Sequence, residues 1–194
     1  MDRAYFENYC GFGPYDEQYV YHSRVDHCIW IAERLGIEVR SVLVLGAATG
    51  RVLEHFDEAW GVRPHGCELS RWAHARIPAR YRRRIERTDM RRYVRQQMRR
   101  SESFDLIFSN SLVYLEPGEV ADFLGRCSRI AGHFHFWSST SEDREAGDRY
   151  RVTTRPKRWW SERFRRAGFS PTRSPYLWRS ERRGRFGRLH AASA

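Results

Sequence analysis

Two carboxylates occupy equivalent places in the sequence, each at the end of a short run that predicts a strand. Glu68 ends the run Pro64–Glu68, and Asp89 follows Ile85–Thr88. A carboxylate after the second strand can accept hydrogen bonds from both hydroxyls of a ribose, and one after the third can accept the exocyclic amine of adenine. Either residue alone is equally typical of a solvated loop or a helix N-cap. In this order the pair predicts a nucleoside pocket.

A turn of small residues, Gly46–Gly50, precedes both carboxylates and follows the apolar run Val42–Leu45. The next stretch has the spacing of an amphipathic helix, with apolar positions at Val52, Leu53, Phe56 and Trp60. Small residues after a buried strand let a ligand approach the backbone, and the helix directs its free N–H groups to the same place. Alone, the fragment fits an ordinary strand-to-helix turn equally well. An NAD site would require glycine at Ala48 and Arg51, which disfavours that cofactor.

Alternating strands and helices must position these groups. The N-terminal half adds a leading helix over 22–36, a strand that begins at Ser41, a short helix capped by Ser70 and an Arg-rich helix from Met90. The other half adds a strand Phe104–Phe108, a helix over 117–131 and a strand His133–Ser138. A polar loop over 139–150 follows, and after it come a helix that ends at Gly168, a strand from Phe169 and a short antiparallel strand Arg185–His190. This order predicts an α/β fold, a Rossmann-like three-layer sandwich whose mostly parallel central sheet has six to seven strands and helices on both faces. We expect residues 1–194 to form one domain.

Residues 1–21 are rich in aromatic side chains and lack a regular period because of Gly11, Gly13 and Pro14. Disordered tails are poor in aromatic residues, so this segment predicts an irregular cap that packs on the domain. Such a cap either closes over the site with Tyr5, Tyr15 or Arg24, or packs on the edge of the sheet.

The bulk composition restricts the partners. The net charge of +11 would suit a nucleic acid, but Lys157 is the only lysine and arginines occur in nearly every segment, which favours a compositional bias. Cys10, Cys28, Cys67 and Cys127 lack the spacing of a metal site or a disulfide framework, so we predict no metal. No apolar stretch approaches the length of a membrane span, and we expect a cytoplasmic protein.

Four motifs in order resemble class I S-adenosylmethionine-dependent methyltransferases of the Rossmann-like type, over roughly residues 22–170. Val42–Gly50 resembles the family's glycine-rich motif, Gly66–Ser70 its acidic ribose loop, Thr88–Met90 its adenine loop and Phe104–Leu115 its fourth motif. The resemblance implies S-adenosylmethionine as the cofactor. It assigns cofactor binding to Gly46, Ala47, Gly50, Glu68, Leu69, Asp89, Met90 and Asn110, with Glu68 on the ribose, Asp89 on the adenine amine and Met90 as an apolar wall.

The sequence departs from the family pattern at two positions. Val44 stands where the family usually has an acidic residue that organises the methionine end of the cofactor. Ala48 stands where the family has glycine, and we expect the turn to stay open if Ala48 has a negative φ. The first departure bears on cofactor affinity and, to a lesser degree, on catalysis.

Asn110 and Tyr114, near the end of the fourth predicted strand, are candidate catalytic residues. On or near the fifth predicted strand, whichever of His133 and His135 faces the cleft could be a base for a hydroxyl, with His135 the choice. Core packing explains both histidines equally well. Ser109–Leu112 lacks the Asn/Asp-Pro-Pro-aromatic element of the family members that methylate base amines or glutamine amides, which leaves oxygen, carbon or other nitrogen acceptors.

We predict a methyltransferase for a small acceptor, such as a sugar or a phosphorylated metabolite. The stretch Arg155–Trp160 interleaves basic residues with tryptophans and could hold an anionic or sugar-like acceptor, although Trp160 is better explained as a core residue. An RNA methyltransferase that uses the basic surface and a non-catalytic cofactor-binding protein are the alternatives.

Overall fold

The computed structural model describes residues 1–9, 13–18, 21–137 and 148–182. Its centre is a seven-stranded sheet in the order β3-β2-β1-β4-β5-β7-β6. The strands are Ser41–Leu45 (β1), Arg63–Cys67 (β2), Ile85–Glu86 (β3), Phe104–Phe108 (β4), Ala131–His135 (β5), Phe169–Pro171 (β6) and Leu177–Ser180 (β7). Strands β1 to β5 are parallel, and β7 is antiparallel to both of its neighbours. The sheet is therefore mixed at one edge only.

Helices occupy both faces of this sheet. They are Arg3–Glu7 (α1), Tyr15–Gln18 (α2), Tyr21–Arg34 (α3), Arg51–Trp60 (α4), Arg71–His74 (α5), Met90–Arg99 (α6), Val120–Ile130 (α7) and Lys157–Arg166 (α8). Local signals set several of their ends. The Ser70 side chain caps α5, the Asp89 side chain caps α6, and Gly61 ends α4 in the left-handed conformation with a φ of 63°.

The side chains of β1 alternate between two hydrophobic cores. Val42 and Val44 pack with the apolar faces of α3 and α4, whereas Leu43 and Leu45 pack with those of α6, α7 and α8. All five residues of β1 are buried, as expected for a central strand that helices cover on both faces. This sandwich fixes the carboxyl end of β1 in the middle of one sheet edge.

The chain reverses direction across the sheet at β1. From β1 it runs outward through β2 to β3, and it then returns to pair β4 with the other side of β1. Ligands of open α/β sheets bind outside the carboxyl ends of the strands at such a reversal. The topology therefore places a binding cleft above the carboxyl ends of β1 and β4.

The predicted alternation of strands and helices is confirmed, with differences at element ends. Strand β3 has two residues where we predicted four, and α7 begins at Val120, three residues after Pro117. The antiparallel strand is Leu177–Ser180, which the sequence analysis did not predict. The expected strand Arg185–His190 and most of the predicted loop over 139–150 lie outside the described residues.

The remaining composition-based expectations concern cysteines and membrane spans. Cys28, Cys67 and Cys127 are buried and form no disulfide, as core residues should, and burial raises the pKa of each thiol. Cys10 lies outside the described residues. Among the helices in the described ranges, none combines the length and the apolar character that crossing a bilayer requires.

Candidate cofactor and acceptor site

A cleft of about 1440 Å³, its open mouth included, lies at the carboxyl ends of β1, β2, β3 and β4. Eight residues that the sequence analysis selected line it together: Gly46, Ala47, Glu68, Leu69, Asp89, Met90, Asn110 and Tyr114. Gly50 and His135 are not in its wall. Val44, which stands in place of the family's acid, lines the cleft with a buried side chain. Residues distant in sequence therefore meet at one site.

The glycine-rich turn brings backbone rather than side chains to the cleft. Gly46 has a φ of 81°, and a methyl group on its Cα would collide with the Ser111 side chain. Gly50 has a φ of 93° and forms the N-cap of α4. Ala48 also lies in the left-handed region, with a φ of 49°, so the condition of a negative φ at this position is not met. The turn keeps the glycine-type conformation at Ala48 at the expense of backbone strain.

Glu68 connects this turn to the segment after β2. Its side chain is buried, with 6% of the residue exposed. Oε2 accepts a hydrogen bond from Ala48 N at 2.8 Å, and Oε1 accepts one from Ser70 N at 2.6 Å. Burial raises the pKa of Glu68, while the two backbone donors act in the opposite direction. Because a carboxylate oxygen has two lone pairs, both oxygens can accept further hydrogen bonds from the cleft.

Asp89 caps α6 and pairs with the Arg91 guanidinium at the same wall of the cleft. Oδ1 accepts from Arg91 N at 2.8 Å and caps α6, while the Arg91 guanidinium donates to Oδ1 at 2.9 Å and to Oδ2 at 2.7 Å. The hydrogen bonds from Arg91 lower the pKa of Asp89. The N-cap alternative considered for this residue therefore describes what its carboxylate does in the structure.

The wall at the carboxyl end of β4 contains a buried polar network. The Tyr114 hydroxyl donates to Asp148 Oδ2 at 2.8 Å, and the hydroxyls of Tyr114 and Tyr5 are 2.8 Å apart. Tyr150 N also donates to Asp148, at 2.9 Å to Oδ1. Burial of the phenol, followed by the charge of Asp148, raises the pKa of Tyr114 well above its usual value. Tyr114 is therefore a neutral hydroxyl at neutral pH.

Asp148 is not among the predicted site residues, because it is one of several acidic residues in a stretch predicted to be a polar loop. Nothing in the local pattern separates it from Glu142, Asp143 or Glu145. Its side chain is fully buried, and Arg151 Nε lies 3.9 Å from its Oδ2. Only the three-dimensional fold identifies it as part of the site.

The N-terminal segment forms much of the remaining wall, and its described part contains two short helices. Tyr5, Phe6 and Tyr9 are buried and pack with Ala48 and Ala73. The Asp16 carboxylate accepts a hydrogen bond from the Thr49 hydroxyl, which joins α2 to the glycine-rich turn. Tyr5 and Tyr15 line the cleft.

Arg24, by contrast, lies outside the wall of the cleft. The centre of its guanidinium is 5.8 Å from the ring centroid of Trp137. Asn110 is linked to the same tryptophan, because its Oδ1 accepts a hydrogen bond from Trp137 N at 3.3 Å. Trp137 thus connects the end of β5 with a residue of the cleft.

His135 belongs to the core rather than to the cleft. It is fully buried and stacks on Phe108 with ring centroids 5.0 Å apart. Burial lowers its pKa to about 3, and neither ring nitrogen has a hydrogen-bond partner within the described part of the chain. His133 is also absent from the wall, and burial lowers its pKa. The geometry therefore supports the core alternative for both histidines.

The stretch Arg155–Trp160 is likewise separate from this cleft. Trp160 is buried and packs on Phe136 with ring centroids 4.8 Å apart, in agreement with a core role. Trp159 is half-buried, and the Arg163 guanidinium lies 4.5 Å from the centroid of its ring. Lys157 and Trp160 line a second groove.

Comparisons with solved structures identify the fold. An S-adenosylmethionine-dependent methyltransferase from Clostridium acetobutylicum ATCC 824 aligns with a TM-score of 0.63 at 13% identity, over 86% of this chain and 94% of that chain. Magnesium protoporphyrin IX methyltransferase (ChlM) from Synechocystis PCC 6803, solved with bound SAM, aligns with a TM-score of 0.61 at 14% identity, over 91% and 85%. DesVI from Streptomyces venezuelae aligns with a TM-score of 0.51 at 21% identity.

The alignment with DesVI covers 66% of this chain and 55% of the DesVI chain. The sequence matches no protein-family model and no curated protein. The structural similarity nevertheless covers 86% and 91% of this chain in the first two alignments. The chain has the fold of class I S-adenosylmethionine-dependent methyltransferases.

Proposed function

We propose that this chain is an S-adenosylmethionine-dependent methyltransferase that acts on a small-molecule acceptor. The observation that carries the proposal is the convergence of Gly46–Ala47, Glu68, Asp89–Met90 and Asn110 on one cleft, where each group begins within three residues of the end of a different strand. An ordinary strand-to-helix turn does not require this convergence. The fold that the chain shares with methyltransferases supports the same conclusion.

The residues present fit such a cofactor. The open backbone at Gly46 and Ala47 would hold its methionine portion, and the buried carboxylate of Glu68 would accept the ribose hydroxyls. Leu69, which is 62% exposed, and Met90 would enclose the adenine beside Asp89. When bound, the cofactor supplies an electrophilic methyl group on a sulfonium. Because Val44 offers no carboxylate, Gly46 and Glu68 would make the main polar contacts.

The residues beside Asn110 would orient the acceptor and receive its proton. The Tyr114 hydroxyl donates to Asp148, which leaves lone pairs on its oxygen for a hydroxyl or amine hydrogen of the acceptor. As the acceptor attacks, its proton can move to the Tyr114 oxygen while the Tyr114 proton moves to Asp148. Tyr5, Tyr9 and Tyr150 narrow the cleft around this point and exclude water. We propose Asn110 and Tyr114 as the residues that contact the acceptor.

Calorimetric titration with S-adenosylhomocysteine tests the cofactor assignment directly. We expect binding to the wild-type chain, and we expect Glu68→Gln to weaken it by about 1–3 kcal/mol because a ribose hydrogen bond to a charged acceptor is lost. Glu33→Gln, an exposed change on α3, provides the matched control and should bind like wild type. Absence of binding at millimolar ligand, with the protein shown to be folded, would refute the proposal.

Formation of S-adenosylhomocysteine in the presence of acceptors tests catalysis. Tyr114→Phe should abolish turnover while it leaves the affinity for S-adenosylhomocysteine within about twofold, because the phenol contributes to the acceptor side only. Equal losses of affinity and turnover would contradict this division of roles. A chain that binds the cofactor but transfers no methyl group to any small acceptor would be a cofactor-binding protein.

A further inference from the structure

A second groove lies between α8 and the connection from β6 to β7. We call it the basic groove, defined by Lys157, Arg165 and Arg173 with the hydroxyl residues Ser161, Thr172 and Ser174. The three cationic residues are exposed, and aromatic residues such as Trp160 and Tyr176 complete the wall. None of the acidic residues in the described part of the chain lines the groove. Its chemistry therefore suits an anion.

In the described stretch that forms the groove, basic residues outnumber acidic ones. Residues 148–182 contain eleven Lys and Arg residues against Asp148, Glu162 and Glu181. Asp148 is buried and accepts a hydrogen bond from Tyr114, so it is unavailable to the groove. Within the described residues, Lys157, Arg165 and Arg173 form no ion pair with an acidic side chain. Three cations that face a concave surface without partners would gain from binding phosphate.

The size of the groove indicates a short ligand. Lys157 and Arg165 are eight residues apart on one helix, hence about 12 Å along its axis, and Arg173 lies on the opposite side. The long side chains of lysine and arginine can converge from these positions on two adjacent phosphoryl groups. The groove itself holds three cations, whereas a single-stranded nucleic acid binds along a longer basic track.

The basic groove and the cleft occupy the same edge of the sheet. Leu177 at the start of β7 pairs with His135 at the end of β5, so the β6–β7 connection lies at the carboxyl end of β5. Strands β4 and β7 are two positions apart, or about 10 Å. Trp137 joins the two sites, because its backbone N–H donates to Asn110 Oδ1 and its ring stacks on that of Tyr176 with centroids 4.3 Å apart. A single extended molecule can reach both.

We propose that the basic groove binds the diphosphate of a phosphorylated small acceptor whose other end reaches Asn110 and Tyr114. Lys157, Arg165 and Arg173 contact the phosphoryl oxygens, and the Ser174 hydroxyl, which accepts a hydrogen bond from Tyr176 N at 3.2 Å, donates a further one. The contact of the acceptor's other end with Asn110 and Tyr114 rests on the proposed methyltransferase function. Binding of the diphosphate does not.

The test is a calorimetric titration of the full chain with inorganic pyrophosphate and with uridine diphosphate, while S-adenosylhomocysteine saturates the cleft. We expect dissociation constants of about 1 mM or tighter. The groove variant carries three substitutions, Lys157→Gln, Arg165→Gln and Arg173→Gln. It should weaken both ligands by about tenfold or more and leave S-adenosylhomocysteine binding unchanged.

A matched control removes the same charge elsewhere. Its three exposed arginines belong to the other basic stretch of the chain, near β3 and on α6, and the changes are Arg83→Gln, Arg95→Gln and Arg99→Gln. Pyrophosphate should bind this control as it binds wild type. If both triple variants lose affinity equally, binding reflects overall charge and the proposal is wrong.

Two further outcomes would overturn the proposal. The first is no binding of pyrophosphate or uridine diphosphate to a chain that binds S-adenosylhomocysteine, which would leave the methyltransferase proposal intact. The second is binding of a 20-nucleotide oligouridylate that depends on the groove, without binding of uridine diphosphate, which would indicate a nucleic-acid site. If S-adenosylhomocysteine itself does not bind, the methyltransferase proposal fails, and the pyrophosphate titration without it still decides the groove.

Discussion

Two parts of the cleft differ in the kind of groups that form them. The cofactor wall, which consists of 46–49, 68–70 and 88–91, presents backbone groups and carboxylates that cap neighbouring N–H groups. The aromatic wall, which consists of Tyr5, Tyr9, Tyr114 and Tyr150, presents side chains fixed to one another and to Asp148. The first wall depends on local backbone conformation, and the second depends on contacts between segments more than a hundred residues apart.

This difference predicts how each wall responds to substitution. A change in the cofactor wall should act through backbone strain and closed contacts, and it should alter stability and cofactor affinity together. A change in the aromatic wall should act through hydrogen bonds, and it should alter the acceptor side while cofactor affinity is retained. The substitutions Gly46→Ala, Asp148→Ala and Ala48→Gly test whether the two walls respond in these different ways.

Gly46→Ala should have the largest effect, a loss of about 3 kcal/mol in the free energy of unfolding. The new methyl group would occupy a left-handed position and collide with the Ser111 side chain. Gly61→Ala is the matched control, because Gly61 has a φ of 63° but no atom within 4 Å of an added Cβ. It should lose only about 1 kcal/mol in urea unfolding. Equal losses would mean that Ser111 does not confine the turn.

Asp148→Ala should cost about 2–3 kcal/mol, because it leaves the buried hydroxyl of Tyr114 and the N–H of Tyr150 without their acceptor. Chemical denaturation measures the loss, and Glu33→Ala on the exposed face of α3 should change stability little. Titration of the folded variant should give an S-adenosylhomocysteine affinity within about twofold of wild type. A larger loss of affinity would show that the two walls are coupled.

His135 gives a pH-dependent test of the core beneath both walls. Its pKa falls to about 3 on folding, so the unfolded chain takes up a proton below about pH 6.5 while the folded chain does not. Stability is therefore lost as the pH falls from 6.5 towards 3, at about 1.4 kcal/mol per pH unit, or about 2 kcal/mol at pH 5.

His135→Phe keeps the stack on Phe108 and should remove this part of the acid sensitivity. The measurement is the difference between variant and wild-type unfolding free energies at pH 7.5 and at pH 5. Relative to wild type, the variant should gain about 2 kcal/mol in the free energy of unfolding between pH 7.5 and pH 5. A constant difference would mean that His135 is protonated in the folded chain. Loss of methyl transfer in a stable His135→Phe would restore this residue as a catalytic candidate.

The contrast between the walls also explains what the sequence could predict. The strand, turn and helix around Gly46–Gly50 and the position of Glu68 follow from contiguous patterns, because each depends on neighbours a few residues away. Asp148 could not be predicted, since its partners are Tyr114 and the distant Tyr5. Strand β7 was missed for a related reason. Leu177, Trp178 and Ser180 are all buried, so the strand lacks the alternation that marks a strand with one exposed face.

Ala48→Gly should have the smallest effect, and it tests where the two walls meet. Glycine would relieve the left-handed strain at a φ of 49°, a gain of about 1 kcal/mol. The Ala48 methyl group, however, packs with Tyr5, Phe6 and Tyr9, and its loss should cancel part of that gain. We expect a net stabilisation below about 1 kcal/mol in thermal unfolding. A destabilised variant would show that the methyl group is needed to hold the N-terminal segment, and that the aromatic wall uses the strained residue of the cofactor wall as its support.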